Sequence, residues 1–504
     1  MGKNKIFSAT IIGAAGTGVL LLISIILSPL ISNTIGIEAY GFVSLAKTFI
    51  SYANILTIAL NSCASRYISV SYLKNDTKEF QKYFSTVFIA DLILALVLFS
   101  SGIFFVFFLE RILVVPYELI YDVKILFFIT FLVFFVSTIS TVFFVAPYIR
   151  NRLDLHNAIK LVSYILQFLF LIISFKFLTP HIWYVSLASF ISVVFIFGGN
   201  FFYTKNYLPE AKLSWKNFDK FSLRILLANG IWYSINNIGF ILNSGLDLLF
   251  SNLFLTSISM GQIAIAKTVG SIMSQVNSVI GQPFQPEMLK AYSDNDIEKI
   301  KEICRKAMQV GGIFSNLVYA GFFVLGQNFF NLWLPGQDFN VLYKLTLLAL
   351  FPFVTEGIVY PLFYIYVLTE KNKLPCFISI FGGVFNVLGM FVFLKYTSLE
   401  AYGVLLTTAI IMTIINIVFT PIYLSKCLKA KVNFLYSQVL RSLISFVVLI
   451  LLFVLMKNIL PLYNKWLWLL LNMLILIVIG LIVQIPIQLS KEEIHRLFIK
   501  IRRL

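Results

Sequence analysis

Two lysines stand inside apolar segments where an ammonium group is costly. Lys47 lies in "YGFVSLAKTFIS" (residues 40–51) and Lys267 in "MGQIAIAKTVGS" (residues 260–271), each within an Ala-Lys-Thr triplet. A charge at bilayer depth carries an energetic cost and usually marks function. Two flexible cations facing one cavity would suit an anion, above all a phosphate, which a Lys holds as a point charge. Arg66 could add an anion contact near the inner end of the same helix as Lys47. Snorkelling toward the outer surface is the alternative for both lysines, each about eight residues into its helix, and a boundary charge is the alternative for Arg66.

Polar residues accompany the lysines at helical spacing. At 100° per residue, Lys47, Ser51, Asn54, Asn61 and Ser65 fall within about 80° of one another. Lys267, Ser271, Ser274, Ser278 and Gln285 fall within about 60°. A third stripe carries Asn229, Asn236, Asn243 and Asp247 on one narrow face. The simplest arrangement turns all three toward one hydrated cavity. Ser and Asn also bond between packed membrane helices, so single members of the stripes have a structural alternative. Asp91, Asp247 and Glu356 are the acids within apolar segments, each a proton or cation site or the partner of a buried base. Glu287 is expected at the inner interface.

The elements that position these residues are membrane helices. Of 504 residues, 59% are hydrophobic and 12% charged, about half the charge of an average soluble protein. Apolar runs long enough to span a bilayer number 14, at about 7–30, 39–68, 84–108, 123–147, 161–178, 183–203, 226–252, 258–285, 307–329, 341–368, 375–394, 403–424, 442–459 and 466–488. We number them helices 1 to 14. The first follows a basic start but is too long for a signal peptide and lacks a cleavage motif, so it reads as a retained span. With the N-terminus inside, about three quarters of the 39 Lys and Arg fall in or beside inside segments. Both termini, including the basic tail "KEEIHRLFIKIRRL", are therefore expected in the cytoplasm. The +17 formal charge is explained by this asymmetry, without nucleic acid.

Other chemistries find no support. Cys63, Cys304, Cys376 and Cys427 are scattered, without C-x-x-C spacing, which gives neither a disulfide framework nor a zinc site. The longest loop, between helices 6 and 7, leaves no room for a catalytic domain, and no phosphate loop for ATP occurs. "GAAGTG" (Gly13 to Gly18) sits inside helix 1, where small residues permit close packing. Helices 13 and 14 show no evident polar stripe and are expected to pack peripherally, in a position to flank a lipid tail.

A shift of 220 residues aligns Gly41 with Gly261, Ala46 with Ala266, Lys47 with Lys267, Thr48 with Thr268 and Ser51 with Ser271. The match continues into the following polar loop through Tyr72/Tyr292, Asn75/Asn295 and Asp76/Asp296. The expected fold is an all-α polytopic membrane protein of two six-helix lobes, 1–212 and 213–428, around a central cavity. Two further helices and the tail fill 429–504. An even helix number per lobe makes the repeats parallel, an arrangement that commonly places substrate at their interface.

"IGIEAYGFVSLAKTF", "SRYISVSY" and "NGIWYSINNIGFILNSGLDLLF", with this architecture, resemble the Wzx-type polysaccharide repeat-unit flippases. These belong to the multidrug/oligosaccharidyl-lipid/polysaccharide exporter superfamily. The resemblance covers essentially the whole chain, though its local motifs are short. It implies transport of an undecaprenyl-pyrophosphate-linked oligosaccharide to the outer leaflet of a bacterial cell membrane, for capsule or O-antigen assembly, with no enzymatic step. It implies a pyrophosphate site at Lys47, Lys267 and Arg66, with glycan contacts from Ser51, Asn54, Asn61, Asn229, Asn236, Asn243, Ser271, Ser274 and Ser278. Arg66 matches the family's helix-2 arginine and Asp247 its helix-7 acid, but Leu248 stands where an Arg often follows. A sodium site in the related lipid II flippases suggests Asp247, Asn386 and Thr407 or Thr408 here. Met390 replaces a second acid, and Glu356 and Asp91 are further ion-coupling candidates. No cofactor beyond a sodium or proton gradient is implied, and a polysaccharide polymerase is an implied partner.

Three alternatives differ in what they require. A cation-coupled drug exporter of the same superfamily would favour acids and aromatics in its cavity, against the lysines on helices 2 and 8. A teichoic-acid or lipid II flippase would share the pyrophosphate chemistry. A membrane glycosyltransferase would show clustered catalytic acids or a sizeable external loop, and neither is present.

Overall fold

The structure, a computed structural model, describes residues 3–150, 152–461, 463–490 and 493, without the side chains of 3–11 and 14. The basic tail 491–504, apart from Glu493, lies outside the described residues. No strand occurs among those described, and 14 helices are long and apolar enough to cross a membrane. Helices 1 to 6 span Ala15–Thr34, Ile37–Leu73, Thr77–Phe107, Tyr117–Ile149, Leu153–Phe177 and Trp183–Tyr207. Helices 7 to 12 span Lys220–Ser244, Ser257–Gly281, Ile297–Trp333, Phe339–Leu368, Lys373–Tyr396 and Glu400–Cys427. Helices 13 and 14 span Asn433–Lys457 and Trp466–Gln488.

Several helices outrun their apolar cores. Helix 9 has 37 residues, so it extends about 55 Å against a hydrocarbon thickness of about 30 Å. Its extra turns begin at Ile297, ten residues before the apolar run, because Asp296 caps them and their inner face is apolar. Helix 13 likewise starts at Asn433 rather than 442. Two expectations change here. Helix 7 ends at Ser244, and Asp247 opens a separate helix, Asp247–Phe254, after a break at Gly245 and Leu246. Helix 8 ends at Gly281, so Gln285 belongs to the next short helix, Phe284–Ser293, and not to the helix 8 stripe. The turn Gln282–Pro283 ends the helix because proline interrupts the backbone hydrogen-bond ladder.

The 220-residue repeat is written into local geometry. Asn75 and Asn295 both adopt left-handed backbone, φ 57° and 54°. Asp76 then caps helix 3 by accepting the Glu79 amide at 2.9 Å, and Asp296 caps helix 9 by accepting the Lys299 amide at 2.9 Å. Helix 4 tightens to 3-10 geometry at Thr141–Phe144, and helix 10 does so at the corresponding Tyr360–Phe363. Left-handed Asn followed by a capping Asp is cheap turn chemistry, which explains why the polar loop keeps the register.

By its contacts the chain forms two compact units, 1–261 and 262–504. Helix 7, first of the second repeat, packs along helix 2 and so belongs with the N-terminal unit. The core of the first unit gathers Leu60, Ile68, Phe80, Phe84, Val87, Phe143 and Leu226. In the second, Ile300, Ile303, Cys304 and Met308 from helix 9 meet Leu362, Leu424, Leu435 and Val439.

Repeat-related glycines meet each other. A Cβ on Gly41 would approach the Gly261 nitrogen at 2.9 Å and its Cα at 3.0 Å. A Cβ on Gly261 would strike the Ile37 carbonyl. Helix 2 and the first turn of helix 8 therefore touch backbone to backbone, Gly41 against Gly261 and Gly261 against Ile37.

Candidate functional site

Helix 2 is the element around which the N-terminal candidates assemble. Lys47, Ser51 and Arg66 are exposed, while Asn54 and Asn61 are half-buried. Among the described residues Lys47 has neither a hydrogen bond nor an ion pair. Helix 7 lies against another side of helix 2. Ser234 donates to the Ile55 carbonyl at 2.6 Å, and Gly230 lets the backbones close at Ala59. These contacts lie about 80–120° round the helix from Lys47, so helix 7 flanks the stripe without covering it.

The other edge of the stripe faces helix 3. Asn61 Nδ2 donates to Asp91 Oδ1 at 2.9 Å, and Asp91 is fully buried. Neither Asp91 Oδ2 nor Asn61 Oδ1 has a hydrogen-bond partner among the described residues. Asn61 is therefore tied into the wall of the unit, while Lys47 and Ser51 face outward from it.

On helix 7, Asn229 and Asn236 are exposed. Asn229 donates to the Tyr67 hydroxyl at 3.1 Å and to the Ile225 carbonyl at 2.8 Å. Asn243 is buried and donates back to Gly239 at 2.7 Å. Asp247 is buried at the start of its short helix, where the amide dipoles favour negative charge. The break before it is held by a residue outside the polar stripes: the Tyr52 hydroxyl donates to the Gly245 carbonyl at 2.6 Å. Asn252, also outside the stripes, bonds both the amide and the carbonyl of Val114 at 3.0 Å and pins the segment after helix 3. An interrupted run of Asn and Gly was the available signal for the break.

In the second unit Lys267, Ser274 and Ser278 are half-buried on helix 8, and Ser271 is exposed with its hydroxyl turned to the Thr268 carbonyl at 2.8 Å. Glu356 is half-buried on helix 10. On helices 11 and 12, Asn386 and Thr408 bond reciprocally: the amide donates at 3.1 Å and the hydroxyl returns at 3.3 Å. Thr407 turns its hydroxyl to the Gly403 carbonyl at 2.8 Å, and Met390 is buried one turn beyond Asn386. This pair offers two oxygens already bonded to each other and no carboxylate. No group of three or more His, Cys, Asp or Glu able to hold a metal occurs among the described residues.

No family model matches the chain. It is 28% identical over 406 residues to an uncharacterized membrane protein, EpsK, of Bacillus subtilis (strain 168), over 81% of this chain and 80% of EpsK. The lipid II flippase MurJ, in an inward closed conformation, matches with TM-score 0.67 at 16% identity, over 94% of this chain and 98% of that one. An inward-facing MATE-family multidrug transporter of the MOP superfamily matches with TM-score 0.66 at 15% identity, over 84% of this chain and 99% of that one. The fold is that of MATE and MurJ.

Within this MATE- and MurJ-like fold, helices 13 and 14 correct an expectation: they do carry a polar stripe. Asn316 of helix 9 donates to the Ser442 carbonyl at 2.9 Å and to Gln484 Oε1 at 3.2 Å. Ser445 also donates to Gln484 Oε1 at 3.0 Å, and Gln484 donates to the Ile313 carbonyl at 3.1 Å. Gln488 links Gln484, Gln438 and Gln309 into the same network. All these side chains are at most 2% exposed. Uncharged amides at four- and seven-residue spacing carried the signal, which a search for charges overlooks.

Proposed function

We propose that this chain is a flippase for an undecaprenyl-pyrophosphate-linked oligosaccharide, moving it from the cytoplasmic to the outer leaflet by alternating access for surface polysaccharide assembly. The observation that carries the reading is Lys47, an exposed lysine at membrane depth with neither a hydrogen bond nor an ion pair among the described residues. A cation in that position is costly unless an anion or water meets it. Lys47, Lys267 and Arg66 would hold the pyrophosphate. The exposed or half-buried Ser51, Asn54, Asn229, Asn236, Ser271, Ser274 and Ser278 would meet sugar hydroxyls, with Asn61 and Asn243 shaping the walls behind them. The prenyl tail would remain in lipid, so the protein need move only the polar head.

MurJ shares the fold over more of this chain than the MATE transporter does, 94% against 84%, which favours a lipid-linked cargo over a drug. Ion coupling, by sodium or protons, would act at the acids Asp247, Asp91 or Glu356. Asn386 with Thr407 or Thr408 would serve only if a carboxylate from elsewhere joined them.

The test is simultaneous Lys47→Ala and Lys267→Ala substitution in cells that depend on this protein. Surface glycan is expected to fall by about tenfold or more if each lost charge-assisted contact is worth about 1.5–3 kcal/mol. Undiminished glycan at normal protein levels would remove the pyrophosphate role. Drug-resistance assays with and without the gene address the exporter reading.

A further inference from the structure

Helix 9 reaches past the apolar layer with a divided surface. Ile300, Ile303, Cys304, Ala307 and Met308 pack inward, leaving Glu298, Lys301, Glu302 and Arg305 outside. Opposite them the link between helices 12 and 13 turns sharply. Lys429 is left-handed at φ 52°, and the Ala430 amide bonds back to the Ser425 carbonyl at 2.9 Å. That turn places Lys429 and Lys431, both exposed, across from Lys301 and Arg305. Between the two walls lies a cleft of about 590 Å³, with Ala430 and Phe434 contributing apolar surface.

Four cations thus face two acids, and the acids are already engaged. Glu298 pairs with Lys301 at 2.6 Å, and Glu302 pairs with Lys306, outside the cleft, at 2.7 Å. Arg305 also acts on the Glu493 carboxylate, so Lys429 and Lys431 leave the net positive field that an anion would neutralise. Depth selects the anion's source. Helix 13 begins at Asn433, nine residues before its apolar run opens at 442, so about 13 Å of helix precedes the hydrocarbon layer and its first turn belongs at headgroup depth. Basic pockets at that depth recognise lipid phosphates, and a neighbouring aromatic ring suits the glycerol end of the acyl chains.

We propose that this cleft binds the phosphodiester headgroup of an anionic phospholipid, separately from the transported cargo. Lys301, Lys429 and Lys431 would contact the phosphate, with Phe434 against the glycerol backbone. Native mass spectrometry of the full-length protein titrated with palmitoyl-oleoyl phosphatidylglycerol tests it, with the phosphatidylcholine analogue as control. Joint Lys301→Gln, Lys429→Gln and Lys431→Gln substitution is expected to weaken phosphatidylglycerol retention by about tenfold or more. Glu298→Gln, which frees Lys301, is expected to strengthen it and keeps the test decisive if the triple variant misfolds. Equal retention by wild type and the triple variant, no gain in Glu298→Gln, or equal binding of phosphatidylcholine would overturn the proposal. Displacement of the lipid by millimolar inorganic phosphate would assign the cleft to soluble phosphate instead.

Discussion

Lys47 and Asp91 occupy the same unit yet answer the burial problem differently. Lys47 lies on an exposed face, whereas Asp91 is sealed behind helix 2, its one bond among the described residues coming from Asn61. A buried polar group that loses its partner costs about 1–3 kcal/mol. Asn61→Leu is therefore expected to lower the thermal midpoint, read by intrinsic fluorescence in detergent, by more than Ser51→Ala on the exposed part of the stripe. Tyr52→Phe removes the hydroxyl that holds the Gly245 carbonyl and should cost about 0.5–1.5 kcal/mol by the same measurement. Because that bond fixes the break before Asp247, the proposed flippase function predicts that Tyr52→Phe also reduces surface glycan at unchanged protein level. Outside the membrane, Glu493 offers a pH-dependent contact. Burial would raise its pKa, but the Ser490 amide and hydroxyl, the Gln309 amide and the Arg305 charge outweigh that and hold it below the usual glutamate value. A depressed carboxylate stabilises the fold above its unfolded pKa, about 4.3, and loses that contribution as pH falls through the lower folded value. The thermal midpoint of Glu493→Gln should thus vary less than that of wild type between neutral pH and about pH 3.5.

Among the elements, the amide network decides how the last two helices attach. A single bond between membrane helices contributes about 0.6 kcal/mol on average, too little to fix a helix pair. Here Asn316, Ser442, Ser445 and Gln484 share acceptors and donors, so removing one member strands several. Gln484→Leu should lower the thermal midpoint more than the double variant Asn316→Leu with Gln484→Leu, in which fewer polar groups are orphaned. Equal effects would show that the network contributes only its pairwise bonds. The two crossing glycines make a parallel case. Gly261→Ala, whose Cβ would strike the Ile37 carbonyl, should lower the thermal midpoint more than Gly41→Ala, whose Cβ meets the movable Met260 tip and the Gly261 backbone. A substitution at Gly18, which has nothing within 4 Å, should leave it unchanged.

At the scale of the whole molecule, the side of the membrane each loop occupies can be measured. If the N-terminus is inside, cysteines replacing Lys78 and Lys299 should escape a membrane-impermeant thiol reagent in intact cells, while one replacing Lys395 should react. The helices and the repeat could be read from sequence because both depend on short-range chemistry: apolar runs of spanning length, and an Asn-Asp turn that recurs. The interruption at Gly245 is hidden from an apolar window, which averages over one broken turn, although the Asn and Gly residues around it signal it. The amide network was missed because glutamine and asparagine leave hydropathy nearly unchanged over so apolar a helix, and their partners lie far away in the chain. That distance has a consequence during synthesis. Asn316 and Gln484 are separated by 168 residues, which a ribosome adding about 5–20 residues per second needs roughly 10 to 30 seconds to produce. Throughout that interval helix 9 sits in the bilayer with its amide unmatched by the last helix. The nascent protein is then most open to capture by membrane quality control, and completion of helix 14 closes that window.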